Sequence, residues 1–495
     1  MIIKTELGDV TEIKTPLLVV NIFEQVKEPK GATKAIDQKL EGYITRLIHE
    51  KEITGKKGET VIIHTQNKLP AERVMVLGLG KPEEFDLDTV RFVSYRAAEE
   101  AKKRRIPKFS TILHGGGEGG INPEYASQGI VEGVLLGLYK FKKYIKGEDF
   151  EVEEMKIVER EKEKIEKIEK GIRVGRILAE SQNIARDFIN EPSNVLTPEE
   201  FAKKVKEMLE RVGVEVEVFD EKWLEEKKMN LILGVGRGSA YPPRLIIARY
   251  RGDEDSKKWY GVVGKGVMFD SGGISLKSPS GMETMKGDMA GGAIVFSVLH
   301  GIAKLGIKKN VMGVVPAVFN LPDGRAIKPG DILQGYSGKT VEIISTDAEG
   351  RLILADALSY AEEAGADPII DIATLTGGSI VALGDVTSAV FSNDKSLVNM
   401  IIEAGKFTGE RFWEMPLFPE YREQMKSIYA DIKNSGGRKA SPITASIFLK
   451  EFIKKAKWMH IDVAGKEIYD KDKGYIKRGG TGIGTRSLIH LFTKI

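Results

Sequence analysis

WYGVVGKGVMFDSGGISLKSPSGMETMKGDMAGGA, residues 259–293, opens on a β-branched strand, passes through a glycine-rich turn and runs into an apolar helix after Asp288. A strand that feeds a helix through a turn is the repeating unit of an α/β layer. Lys265, Asp270, Lys277 and Asp288 lie inside this turn, among glycines that permit a close, convoluted backbone. A second stretch, TVEIISTDAEGRLILADAL (340–358), has the same form. A strand predicted over 340–345 ends in Ser-Thr, and Asp347, Glu349 and Arg351 follow at every second position before a helix. If strand geometry persists, those three side chains point to one side. Ligands of open α/β sheets bind beyond the carboxyl ends of strands, so both turns are expected at one sheet edge.

Outward from these turns the alternation continues. After 195 the sequence predicts strands at 214–219, 244–250, 259–264, 311–317, 340–345, 368–373, 387–391 and 458–463, with helices filling much of the rest. The expected fold is α/β, with a mostly parallel or mixed sheet covered by helices on both faces. The first 150 residues alternate too. Apolar runs at 17–23, 60–65, 73–80 and 109–115 read as strands, and 87–103 and 123–142 as helices. Between the halves, 153–190 reads as one long helix, charged at first and amphipathic later, stopped by Pro192. The expected organisation is a smaller N-terminal α/β domain (1–155), a linker helix (156–190) and a larger C-terminal α/β domain (191–495).

The chain has 495 residues, with Lys+Arg 75 against Asp+Glu 72, a formal charge of only +3. That balance excludes a basic protein that coats nucleic acid and gives no support to a nucleic-acid partner. Zero cysteines exclude disulfides, thiolate metal sites and a cysteine nucleophile. No stretch reaches about 18 uninterrupted apolar residues, and the N-terminal MIIKTELGDV is acidic where a secretory signal has its apolar core. A cytoplasmic protein with no membrane partner is therefore expected.

Asp270, Asp288, Asp347 and Glu349 would repel one another at one edge without a counter-charge, and two divalent cations would match their summed charge. Oxygen-rich ligation suits Mn or Mg and also a carboxylate-tolerant Zn site. A lysine could join only as a neutral amine. Taken alone, Asp-Ser-Gly-Gly is a turn and Thr-Asp-Ala-Glu-Gly-Arg a helix start whose acids favour the dipole. No Gly-Lys-Ser/Thr, His-Glu-x-x-His or Gly-x-Ser-x-Gly occurs, and His300, His460 and His490 receive no catalytic role. Composition and spacing reach as far as a carboxylate-rich metal site.

STDAEGR (345–351) resembles the signature NTDAEGR of the leucyl, or cytosol, aminopeptidases. VGKGVMFDSGGISLK, PPRL (242–245), KPGDILQGYSGKTVEI (328–343), DIATLTGG (371–378) and WMHIDVAG (458–465) are similar to stretches of the same family. The resemblance covers roughly 180–495. It implies a two-metal centre, with Mn2+ or Zn2+. One ion would be held by Lys265, Asp270, Asp288 and Glu349, and the other by Asp270, Asp347 and Glu349. It makes Lys277 and Arg351 the catalytic pair, with a bicarbonate ion at Arg351. Met285, Thr374, Leu375 and Gly377 would line the substrate site beside Lys277. The implied activity is removal of an N-terminal, leucine-like residue from peptides through a metal-bridged hydroxide, by a homohexamer. Ser345 stands where the family has Asn. Two rivals remain: a two-metal hydrolase of another amide or a phosphoester, and a non-catalytic binding protein on the same fold.

Overall fold

The computed structural model describes residues 1–115, 119–147 and 149–495. The chain forms two compact units. The first comprises Met1–Glu180 with Asp472–Lys477, the second Ser181–Lys471 with Arg478–Ile495.

The first unit is built on a six-stranded sheet of β1 (Ile2–Leu7), β2 (Leu18–Ile22), β3 (Thr60–His64), β4 (Arg73–Gly78), β5 (Lys108–Ile112) and β6 (Glu154–Glu159), in the order β1-β6-β5-β2-β4-β3. All neighbours are parallel except the edge pair β3–β4. The central strands explain their own place: LVVNI and RVMVLG are continuous apolar runs buried on both faces, whereas edge strand TVIIH is half-buried. Helices Leu87–Lys103 and Pro123–Gly137 match expectation. The helix expected over 153–190 is shorter, spanning Lys162–Asn190, because 154–159 is β6. EMKIVE alternates, burying Met155 and Ile157 between two parallel neighbours, and that tertiary pairing overrides the helical tendency of its charged surroundings. The expected domain boundary at 155 thus falls inside a strand of the first sheet. The division between the two units falls within the long helix, after Glu180.

At the end of β5, His114 is buried, 2.9 Å from Asn21 Nδ2 through Nδ1 and 3.1 Å from Thr111 Oγ1 through Nε2. With the Asn21 amide donating, Nδ1 keeps its lone pair and the ring is neutral. Burial lowers its pKa to about 4. A histidine with a depressed folded pKa contributes stability that is complete above the unfolded value of about 6.5 and is lost as pH falls toward 4. The first unit is expected to lose about 3 kcal/mol over that interval. Thermal melts of the wild type and His114→Gln at pH 7 and pH 4.5 check this: the variant should show a smaller pH-dependent drop.

The second unit carries a nine-stranded mixed sheet. Its strands are β7 (Glu215–Phe219), β8 (Arg244–Arg251), β9 (Trp259–Gly264), β10 (Gly266–Asp270), β11 (Asn310–Asn320), β14 (Ala366–Ala373), β15 (Ser388–Ser392), β16 (Phe412–Glu414) and β18 (Trp458–Asp462). The order is β16-β15-β18-β14-β9-β11-β8-β7, with β10 pairing β11. A small separate sheet joins β12 (Ile332–Gln334), β13 (Thr340–Glu342) and β17 (Ile432–Lys433). β11, buried at all eleven positions, is the spine. Its lower half pairs with β9 as far as Val314 and its upper half with β10 from Ala317. Pro316, which has no N–H to give a ladder, stands where the neighbouring strand breaks at Lys265. At the break Lys265 leaves the β11 ladder but keeps a main-chain bond to β14, from its N to the Ile372 carbonyl at 3.2 Å.

One expectation fails here. The strand predicted over 340–345 ends at Glu342, outside the main sheet, and a new helix starts at Gly350. The alternation of Asp347, Glu349 and Arg351 is therefore not strand alternation: Asp347 is exposed, while Glu349 and Arg351 are buried. Ser345–Ala348 forms a turn, and Glu349 is the residue that caps the helix. The 282–305 stretch has the length and hydropathy of a membrane span, yet 83% of its most apolar window is buried within the protein, so it reads as a core helix.

Candidate active site

β9, β10, β11, β14 and β18 run parallel, so their carboxyl ends share one edge of the sheet. From that edge come Lys265, Asp270, Asn320, Thr374 and Asp462. The turn Met282–Gly287 delivers Asp288, and the 345–349 turn delivers Asp347 and Glu349.

Lys265 is the buried hub. Its Nζ donates to the Thr374 carbonyl at 2.9 Å and lies 2.8 Å from both Asp288 Oδ2 and Glu349 Oε1. Neither carboxylate contact has hydrogen-bond geometry, so these are charge contacts only. Gly350 makes room: a Cβ there would meet Lys265 Cε at 2.5 Å. Lys277, more exposed, lies 2.8 Å from Asp270 Oδ2 and 2.5 Å from Asp347 Oδ1. Asp270 Oδ1 accepts from Gly272 N and Asn320 Nδ2, both at 2.8 Å. Asp288 Oδ1 accepts from Thr374 Oγ1 at 2.7 Å. Carboxylate oxygens of Asp270, Asp347 and Glu349 all lie within 4.8 Å of one another.

The electrostatics follow from this crowding. Burial alone would pull the Lys265 pKa down, but the charges of Asp288, Glu349 and Asp270 outweigh it and hold the ammonium. Lys277 is raised in the same way by Asp270, Glu349 and Asp347. Burial pushes Asp288, Asp347 and Glu349 above the ordinary carboxylate range, and for all three the Asp270 charge adds to it. Four acids against two lysines leave a net negative pocket. Glu349 Oε2 is buried and, among the described residues, has no hydrogen-bond partner at all. An unpartnered carboxylate oxygen inside an acidic cluster fits the donor set of a cation site.

Arg351 stands apart from these contacts. Its NH1 donates to the Asn434 carbonyl at 2.8 Å, while Nε is buried without a hydrogen-bond partner. Burial lowers its pKa to about 10, opposed by Glu349 and Asp462. Leu375 N donates to Asp462 Oδ1 at 3.1 Å, and Gly377 opens the following helix. Met285 lies half-buried on the turn before Asp288.

The sequence reading did not single out the residues that hold these loops. Asn320 joins Asp270 to the Thr346 carbonyl, and Thr346 Oγ1 donates to Gly272 O at 2.6 Å and accepts from Ser275 N. Asn434 is fully buried and clamps the 344–348 turn. Asp462 accepts from Leu375 N, Thr376 Oγ1, Ser379 Oγ and Ala464 N. Asn320 was findable, as a polar end to the apolar run VMGVVPAVF. Asn434, within the charged stretch ADIKNSGGRK, gives no such signal.

Residues 183–489 match the cytosol aminopeptidase family, catalytic domain, and residues 19–147 match that family's N-terminal domain. The chain belongs to the cytosol aminopeptidase family. A probable cytosol aminopeptidase of Alkaliphilus metalliredigens (strain QYMF) is 43% identical over 97% of each chain. One of Clostridium perfringens (strain 13 / Type A) is 41% identical over 97% of this chain and 96% of the relative. Among solved structures, a mutant tomato leucine aminopeptidase aligns with a TM-score of 0.88 at 28% identity, covering 100% of this chain and 97% of the other. The bottromycin maturation enzyme BotP, in complex with Mn, aligns with a TM-score of 0.86 at 29% identity over 97% and 99%. The chain is a metallo-exopeptidase by family, and its N-terminal sheet, alone unreadable as to function, belongs to the same family.

Proposed function

We propose that the cluster around Lys265 and Lys277 is the active site, holding two divalent ions, Mn2+ or Zn2+. Asp270, Asp288, Glu349 and Lys265 as a neutral amine would hold one, and Asp270, Asp347 and Glu349 the other. The observation that carries this is the orphaned Glu349 Oε2 within a pocket of four carboxylates. When bound, such ions supply Lewis acidity and lower the pKa of water toward neutrality.

With the four carboxylates balanced by bound ions, the free α-amino group would be taken as a neutral donor to a metal and not as an ammonium, which would restrict attack to N-termini. The chain's own residues supply the rest. Lys277, on a flexible stem at the pocket's mouth, places an ammonium where charge develops on the scissile carbonyl oxygen. The Arg351 guanidinium is held by one nitrogen and leaves Nε for a planar anion such as bicarbonate, which would move the proton that no nearby histidine is placed to take. Thr374, Leu375 and Gly377 orient the substrate, and Asp462 fixes their loop. Met285 beside the first side chain favours an apolar residue such as leucine. The working protein is a cytoplasmic homohexamer acting on peptides.

Leucine-p-nitroanilide should be hydrolysed with Mn2+ or Zn2+ present, and chelation should abolish the activity until metal is restored. N-acetyl-leucine-p-nitroanilide should not be cut. Equal cleavage of the acetylated compound overturns the anchoring of the amino group.

A further inference from the structure

The N-terminal sheet has a carboxyl edge of its own, and a cavity of about 310 Å3 opens there. β1, β6, β5, β2 and β4 run parallel, so the segments that follow them meet at one edge. Gly8 and Asp9 after β1, Phe23 after β2, Leu113 after β5 and Arg160 after β6 all line the cavity. The chain leaves β2 toward β3, on the β4 side of the sheet, and leaves β5 toward β6, on the opposite side. β2 and β5 are neighbours, so the crevice at their ends is the switch point at which open α/β sheets bind ligands. None of the residues assigned above to the metal centre or the peptide site lies in this unit.

The lining divides by chemistry. Ile22, Phe23, Leu79 and Ile112 give the cavity an apolar side. Gly8, Gly31, Gly115 and Gly119 bring main chain to it with no side chain in the way. Asn21 Nδ2 is held 2.9 Å from His114 Nδ1, while its Oδ1 has no hydrogen-bond partner among the described residues. The helix Gly31–Lys39 begins in the cavity: Gly31, Ala32 and Thr33 line it, and no side chain caps the helix. The first N–H groups of a helix have no partner inside it and carry the positive end of its dipole. Three acids line the cavity too, and each is engaged locally. Asp9 accepts from Thr11 N and Oγ1, Glu159 accepts from Arg160 N and Glu161 N, and Glu161 pairs with Lys164 at 2.8 Å. The Arg160 guanidinium makes no hydrogen bond or ion pair among the described residues and acts on Asp9 only through its field. An unengaged guanidinium, an uncapped helix start and an apolar side together fit a ligand with a phosphate at one end and a flat apolar group at the other. Ligand pockets span about 300–1,000 Å3, and this one, at the small end, has room for a mononucleotide but not a dinucleotide.

We propose that the N-terminal unit binds a nucleoside monophosphate in this crevice. The phosphate lies at the start of the helix Gly31–Lys39 beside Arg160, the base lies on the apolar side, and Asn21 Oδ1 accepts from a ribose hydroxyl or a base amine.

The test is calorimetric titration of the full chain, supplied with Mn2+, with AMP, GMP, CMP and UMP, with the corresponding nucleosides, and with inorganic phosphate. At least one monophosphate should bind with a Kd of about 0.1 mM or tighter. Its nucleoside and inorganic phosphate should each bind at least about tenfold more weakly. Ala32→Asp puts a carboxylate at the helix start, where it favours the helix and repels a phosphate. It should weaken the monophosphate by about tenfold or more, with the melting temperature and the hydrolysis of leucine-p-nitroanilide unchanged. If none of the monophosphates binds with a Kd below about 1 mM, or if Ala32→Asp leaves the affinity unmoved, the inference is overturned. A nucleoside that binds as tightly as its monophosphate removes the phosphate from the site and overturns it as well. Competitive inhibition of leucine-p-nitroanilide hydrolysis by the monophosphate would put the ligand in the peptide site, with the same consequence.

Discussion

Lys277→Ala is expected to lower kcat by about 10²–10³-fold while the protein keeps its full complement of metal through dialysis. The two lysines of the cluster hold different places, and the expectation follows from that difference. Lys265 has 4% of its side chain exposed, sits between Asp288 and Glu349, and is tied to the Thr374 carbonyl. Lys277 has 25% exposed and touches Asp270 and Asp347 from the open side. A group at the mouth can swing toward a substrate oxygen, whereas one packed behind Gly350 cannot. Metal content is the readout that separates roles. If Lys277→Ala emptied the site, Lys277 would have to be counted among the ligands. Lys265→Met, which removes the buried nitrogen between Asp288 and Glu349 and the bond it gives the Thr374 carbonyl, should instead lose metal and stability together.

How much of this was legible in the sequence depends on what each residue answers to. Lys265, Asp270 and Asp288 could be placed because the strand–turn–helix pattern around them is local, and the carboxyl edge of a parallel sheet is where such turns converge. The break at Lys265 was not readable, since it depends on Pro316 in a strand some fifty residues later. Asp347 and Glu349 were found, but the reason given for their convergence was a strand that does not extend that far. The turn is held by Thr346, Ser275 and Asn434, contacts between segments far apart in sequence. β6 was missed on the same ground. Its short alternating run lies in a charged stretch, and only pairing with β1 and β5 makes it a strand.

Asn434→Ala should show how far the site depends on such a contact. The Asn434 carboxamide accepts from Ile344 N at 2.8 Å and donates to the Ser345 carbonyl at 2.7 Å, and its own main-chain carbonyl receives Arg351 NH1. It therefore sets the turn that presents Asp347 and Glu349 and also the guanidinium that follows them. Truncation takes the partners from the Ile344 N–H and the Ser345 carbonyl, both only part-buried, at a cost of about 1–2 kcal/mol. The turn's two carboxylates, which repel each other and Asp270, are then free to separate, and metal affinity should fall by about 10–100-fold. Denaturant unfolding reads the first effect and metal titration the second. Asn434→Asp keeps the acceptor for Ile344 N but turns a carboxylate toward the carbonyls of Ser345 and Ala348 and adds a fifth negative charge near the cluster. It should bind metal no better than the alanine variant, because a clamp on this turn has to donate as well as accept. A variant series in which aspartate restored metal affinity would mean that charge, and not the two-way hydrogen bonding of the amide, is what the turn requires.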